Sequence, residues 1–407
     1  MHAAPALLLA VALLLGACAG PGSLSGSRAG TATKAAVPTE PTPAPPAPAP
    51  AAPPAPPAAP PATTYPLRSP EAAPEAPAAT PPYAARPKSD AICLVLPLES
   101  SAYGRAAAAV KAGFLAAADA AGSRARVRVF GHGDDGVLPA FAAASESGPA
   151  LIVGPLTRDD VKVVLAMALA KPRVLVLNQA EDGSPLPDDV YALTLSIDSD
   201  AALVAQHVHD DGARVVATVV SDAPLQRRFK AAFAAAWERT GGTPAHDYRF
   251  DPNPDVLRVL RRELTARPAD ATLLAVGAGD AALAKSFLPP GPVYASSQIA
   301  DDLPAPMLRD LEGVRYVEIP WLADPSSPAL ARFSRADLGD PVLERLYALG
   351  LDAFAIAELL TSPIPPDRVE FDGATGHLSL GPSRVFSREG RLMVIRDGQP
   401  TLDSAPQ

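Results

Sequence analysis

Few residues in this chain stand in patterns that perform covalent chemistry. Val276–Ser286, VGAGDAALAKS, has the glycine spacing of a dinucleotide fingerprint, in which glycines let the backbone approach a pyrophosphate at a helix N-terminus. The strand-before, helix-after setting recurs through the chain, however, and Asp280 reads as the cap of its own helix, so the stretch reads as an ordinary β-α unit. His207 and His209 are two apart on a predicted helix and point to different faces. His132, His246 and His377 are scattered, and no Cys-x-x-Cys or His-Glu-x-x-His spacing completes a zinc site. No Gly-x-Ser-x-Gly elbow offers a serine nucleophile. The expectation is a protein without catalytic residues, metal or cofactor.

Polar side chains at strand ends are a better lead, because they suit binding. In Ala150–Asp160, ALIVGPLTRDD, the run Leu151–Val153 suits a strand buried on both faces of a parallel sheet. Gly154-Pro155 ends it, and Thr157 with Asp160 forms a T-x-x-D start for the helix that follows. In an open α/β sheet such a turn lies at the carboxyl end of a strand, where ligands sit and backbone N–H groups point outward. A second turn of this kind, Glu99–Gly104, follows the strand AICLVLPL, and Asn178 ends a later one. Ser100, Ser101, Tyr103, Thr157 and Asn178 are therefore the candidate ligand-binding residues for a small polar ligand, with helix capping as the competing use of the hydroxyls.

The elements that carry these turns alternate. Strands are predicted at 91–98, 126–130, 151–153, 174–178 and 190–195, with helices at 105–121, 138–145 and 159–170 between them, and Gly113 allows its helix to approach a neighbour closely. The alternation restarts after Asp198 with helices at 201–211, 225–240, 254–267 and 280–287 and strands at 214–220, 246–250, 272–276 and 293–295. The fold class is α/β, with two Rossmann-like lobes. Lobe 1 takes about 91–197 and part of 300–360, lobe 2 about 198–299 and the C-terminal strands. GATGHLSL and RLMVIRDGQP read as a final β pair, with a tail at 401–407. A chain that passes between lobes more than once makes a hinge, and the cleft is the natural ligand position.

The 407 residues carry a net charge of -9, which argues against a nucleic-acid partner. Of the two cysteines, Cys93 lies in an apolar strand and reads as a small buried hydrophobe, whereas Cys18 follows the apolar run Ala6–Leu15. That run is too short to span a bilayer. Leu15-Gly16-Ala17-Cys18 resembles a bacterial lipobox, although the stretch before it holds His2 and no Lys or Arg. The resemblance implies a signal peptide at 1–17, cleavage before Cys18 and lipidation of that residue, several acyl chains giving stable anchoring. Ala19 in place of Asp resembles lipoproteins sorted to the outer membrane. Residues 18–88 then turn to Pro, Ala, Thr and Ser, a composition that builds no core and favours disordered polyproline II. At about 3.1 Å per residue such a linker reaches on the order of 200 Å.

The folded part, 89–400, resembles the type I periplasmic binding proteins through LPLESSAYGRAAAAVKAGFLAA and LIVGPLTRDDV. Four later segments, YASSQIADD, GVRYVEIPWL, RLYALGLDAF and GATGHLSL, resemble the C-terminal domain of the penicillin-binding-protein activator lipoproteins, the LppC or LpoA family. That resemblance implies a lipid-anchored protein on the periplasmic face of the outer membrane. Its partner would be a class A penicillin-binding protein, the peptidoglycan polymerase and cross-linker, which it activates without chemistry of its own. Fuller members carry a helical-repeat domain where this chain has its Pro/Ala segment. The alternative is a lipid-anchored receptor for an amino acid or small polar ligand, since related transport proteins hold such ligands with hydroxyls and backbone N–H groups at comparable turns.

Overall fold

The computed structural model describes residues 89–167, 172–179, 185–301, 303–335, 337–366 and 368–403. The signal peptide, Cys18 and the Pro/Ala linker expected from the sequence lie outside the described residues. The chain begins with β1 (Ile92–Leu96), α1 (Gly104–Ala120), β2 (Val127–Gly131), α2 (Leu138–Glu146), β3 (Leu151–Val153), α3 (Arg158–Leu165), β4 (Val174–Val176) and β5 (Val190–Ala192). These strands form one sheet in the order β2-β1-β3-β4-β5, every pairing parallel.

Both faces of this sheet are covered at its inner strands, which is why β1, β3 and β4 are uninterrupted apolar runs. Ile92, Leu94 and Leu96 of β1 join Phe114 of α1 in one core, while Cys93 and Val95 join Phe141 of α2 and Val161 of α3 in another. Cys93 is a free, fully buried thiol.

The second series runs α4 (Ile197–Asp210), β6 (Val216–Val220), α5 (Pro224–Arg239), β7 (His246–Arg249), α6 (Pro254–Ala266), β8 (Ala271–Ala275), α7 (Ala278–Ser286), β9 (Val293–Ala295), α8 (Ala305–Asp310) and β10 (Val314–Glu318). Then come α9 (Pro320–Ala323), α10 (Pro341–Leu360), β11 (Val369–Asp372), β12 (His377–Leu380), β13 (Phe386–Glu389), β14 (Arg391–Arg396) and β15 (Gln399–Leu402). The second sheet has the order β15-β14-β10-β9-β8-β6-β7, and β11-β12-β13 is a separate antiparallel sheet.

Two expectations about the C-terminus are corrected here. GATGHLSL and RLMVIRDGQP do not pair: β12 sits at the centre of the small sheet, and β14 joins β10 in the second lobe with Glu318 opposite Arg391. The tail expected from 401 is part of the fold as far as Asp403, since β15 runs to Leu402 and Asp403 accepts from Arg315 and Arg396. Apolar periodicity showed strands but not partners; long-range register is set by packing, which a local pattern does not carry.

Helix α10 belongs to the first lobe. Its Tyr347, Leu351 and Phe354 share a core with Ile92 and Phe114, and Phe114 meets Phe354 edge-on at 5.3 Å. The small sheet adds Val369, Leu378, Leu380 and Phe386 to the same core. The chain consequently passes between the two lobes three times: after β5, after β10, and between β13 and β14 at Gly390. Three such connections make a hinge.

Candidate functional site

The structure places the five candidate residues at the carboxyl edge of the first sheet, and ties up the side chains of all but Tyr103 locally. Ser100 and Ser101, in the turn between β1 and α1, donate to opposite oxygens of Asp134 at 2.6 and 2.8 Å. Those hydroxyls hold the Asp134 carboxyl below the usual carboxylate range. Tyr103 is half-exposed, and its backbone N–H donates to Ser100 Oγ at 3.3 Å. Thr157 is the N-cap of α3: its Oγ1 accepts from the Asp160 N–H at 3.2 Å and donates to the Asp160 carboxylate. Asn178 Nδ2 donates to the Leu156 carbonyl at 3.1 Å, and its Oδ1 accepts from the Gln179 N–H. Ser100 and Ser101 are thus brought together through Asp134, and Asn178 is joined to the turn that carries Thr157.

The fingerprint-like stretch opens a helix, as expected, with one correction. Gly277 is the N-cap of α7 and Asp280 stands in its first turn, where a carboxylate favours the positive end of the helix dipole without a side-chain capping bond.

A more extensive polar system lies at the hinge, and sequence reasoning missed it. Asp352 projects from α10 into the interior, where its residue is 3% exposed. Its oxygens accept from the backbone N–H groups of Ala374 and Thr375, both at 2.7 Å, and from Thr375 Oγ1 at 2.6 Å. The turn between β11 and β12 that supplies these donors also touches both later crossings. Trp321 N–H donates to the Ala374 carbonyl at 3.0 Å, and Arg388 Nη1 to the Thr375 carbonyl at 3.1 Å. Arg388 continues to Asp200 on α4, in the other lobe. Burial outweighs these donors and pushes the Asp352 carboxyl up to about 6.

Glycine is required in this turn by space. A Cβ on Gly373 would fall 2.6 Å from Asp352 Oδ2, and one on Gly376 only 2.5 Å from the Glu389 carbonyl. The one signal of this hub in the sequence is an aspartate in the middle of LGLDAF, the apolar centre of a long helix, where a buried charge needs fixed partners.

A second clamp adjoins it. Arg345, about two turns earlier on the same side of α10, donates to both oxygens of Asp301 at 2.8 and 3.0 Å and to both oxygens of Glu318 at 2.6 and 3.1 Å. Glu318 ends β10, so this guanidinium holds the first lobe to the second sheet where the second crossing begins. The planar fork of arginine suits two carboxylates at once. Thr375 and the Asp352 carboxylate beside it are both buried, so this polar system fixes the two lobes in one relation rather than facing solvent.

Comparison with known proteins gives this architecture a family. A sequence model described as "LppC putative lipoprotein" matches residues 84–273 and 280–398, more than half of the chain. The chain is 26% identical over 328 residues to the penicillin-binding protein activator LpoA of Enterobacter sp. (strain 638), covering 70% of this chain and 45% of that protein. With LpoA of Escherichia coli (strain K12) it shares 24% over 320 residues, covering 68% and 47%. It therefore spans about half the length of the curated relatives it matches. Among solved structures, a Chromobacterium violaceum protein described as a "putative branched-chain amino acid ABC transporter" is 32% identical with a TM-score of 0.66, covering 75% of this chain and 100% of that one. The C-domain of Haemophilus influenzae LpoA, described as a regulator of PBP1A, has the same fold with a TM-score of 0.65 and 24% identity, covering 77% and 99%. With nearly all of both lobes inside the matched segments, the chain belongs to the LppC lipoprotein family.

Proposed function

We propose that this protein is a lipid-anchored accessory protein of peptidoglycan synthesis, which binds and activates a class A penicillin-binding protein and performs no chemistry itself. The observation that carries the reading is the match across both lobes to a family whose curated relatives are named penicillin-binding protein activators. The clamped hinge supports it, since a rigid two-lobed body suits a protein that presents a surface. Cys18 is the proposed lipid attachment site, the periplasmic face of the outer membrane the proposed location, and the Pro/Ala segment the tether. Binding is tested by interferometry between the full chain, made soluble by Cys18→Ala, and the periplasmic part of the cell's class A synthase. Saturable binding supports the reading; folded protein that fails to bind overturns it.

The transporter-like relative at 32% identity favours a second reading, a receptor for an amino acid or small polar ligand in the cleft. A ligand at 100 times its dissociation constant adds about 2.7 kcal/mol of stability, so a melting screen detects it. Loss of the shift in Ser100→Ala and Thr157→Ala would place the ligand at the turns of the first lobe.

A further inference from the structure

A hollow of about 850 Å³ runs along α4, between that helix and β13. Its walls come from both sides of the hinge: Gln179 and Thr194 belong to the first lobe, Gln206 of α4 and Thr240 at the end of α5 to the second. Because α5 follows β6 and runs back beside it, the Thr240 end of the hollow lies at the amino edge of the second sheet. The hollow is therefore separate from the turns of Ser100 and Thr157, which stand at strand carboxyl ends. Its size is that of a site for a small molecule.

The charges of the lining cancel, and the buried ones are already engaged. Asp198 and Glu389 stand against Arg239 and Arg388. Both oxygens of Asp198 accept from Arg228, at 2.9 and 2.5 Å, and Arg388 gives Nη1 to the Thr375 carbonyl and Nη2 to Asp200. Arg239 and Glu389 are exposed, where solvent screens them. A ligand with a net charge gains little here.

What the lining leaves open is uncharged. Ser199 and Thr240 give their hydroxyl protons to the Ser196 and Trp237 carbonyls, both at 2.7 Å, and Gln206 Nε2 donates to Asp210 at 2.8 Å, so the three side-chain oxygens remain to accept. The side chains of Gln179 and Thr194 have no hydrogen-bond partner among the described residues and can both donate and accept. Arg388 Nε, in a side chain 2% exposed, has no acceptor either. Ala202, Leu203 and Ala236 add apolar surface to the same walls.

We propose that this hollow binds an uncharged sugar, one or two rings of a glycan. A pyranose carries neighbouring hydroxyls that donate and accept together, beside a face of C–H groups, and it needs no counter-charge. That is the mixture the walls present: free acceptors, free amide and hydroxyl donors, and apolar surface. A zwitterion such as an amino acid would need an unpaired fixed charge of each sign, and the buried charges here are paired. The inference goes beyond the activator reading and does not depend on it.

The test uses the full chain with Cys18→Ala and titrates two uncharged sugars, diacetylchitobiose and maltose, by calorimetry, with leucine as the zwitterionic comparison. Ala202→Trp fills the hollow, and Gln206→Leu with Thr194→Val removes a hydrogen-bonding group from each lobe; thermal melting shows that each variant is folded. At least one of the sugars is expected to bind saturably, and the paired substitution to weaken it about 10-fold, the loss of two ordinary hydrogen bonds. If Ala202→Trp does not fold, the paired substitution, which keeps side-chain size, still decides. Absence of binding by both sugars, or unchanged sugar affinity in a folded variant, would overturn the site. Leucine bound in place of the sugars, and lost in Ala202→Trp, would overturn the sugar assignment. None of these outcomes bears on synthase binding, which interferometry measures separately.

Discussion

Gly113 of α1 and Gly350 of α10 meet where the two helices of the first lobe come into backbone contact. A Cβ on Gly113 would lie 1.9 Å from the Tyr347 carbonyl oxygen, and one on Gly350 would lie 2.1 Å from that of Val110. The obstacles are backbone atoms, which cannot rotate away. Alanine is the better helix former by about 1 kcal/mol, but forcing helices apart costs about 1–3 kcal/mol and occasionally more. Gly350→Ala should therefore lower the denaturant midpoint. Gly279→Ala, in α7 with no atom within 4 Å of its added methyl, should leave it unchanged or raise it. Equal behaviour of the two variants would contradict the close contact.

The hinge hub makes a prediction with a definite sign. In Asp352→Asn an amide donor must face one of the backbone N–H groups that the carboxylate now accepts, at a cost of about 1–3 kcal/mol. The Asp352 carboxyl ordinarily titrates at 3.8 and is raised to about 6 in the folded chain. Between those values the folded chain keeps a proton that the unfolded chain has released. Its contribution to stability therefore falls as pH rises through the window and is flat above it. The stability difference between wild type and Asp352→Asn should shrink from pH 4 to pH 6 and then hold steady. A difference that widens over that interval would refute the raised carboxyl.

Arg345 offers a third test. Replacing it by methionine keeps much of the volume and leaves Asp301 and Glu318, whose side chains are 17% and 8% exposed, without their cation. Breaking a buried pair in this way costs about 3–5 kcal/mol, because the stranded carboxylates lose their compensation. Chemical denaturation of Arg345→Met should show a loss of this size, whereas a change below about 0.5 kcal/mol, the range of ordinary surface substitutions, would mean the clamp is solvated.

How much of this was legible beforehand depended on the reach of each signal. β3 and β9 begin and end where apolar periodicity, Pro and Gly set them, and Thr157 caps its helix as the T-x-x-D pattern requires. The close approach implied by Gly113 was also legible, although its partner α10 lies more than two hundred positions along the chain. What escaped was long-range: the separation of β12 from β14, and the convergence of Asp352, Thr375, Arg388 and Asp200. Each of those side chains looks ordinary in its own segment, and only the tertiary fold brings them within hydrogen-bond distance.

The central claim is activation, and the most direct measurement is the rate of glycan polymerisation by the class A synthase with and without the full chain carrying Cys18→Ala. The account predicts a saturable increase in rate as this protein is added, one that follows the occupancy measured by interferometry. A rate that stays flat while the two proteins are demonstrably bound would contradict it and leave a partner that binds without activating.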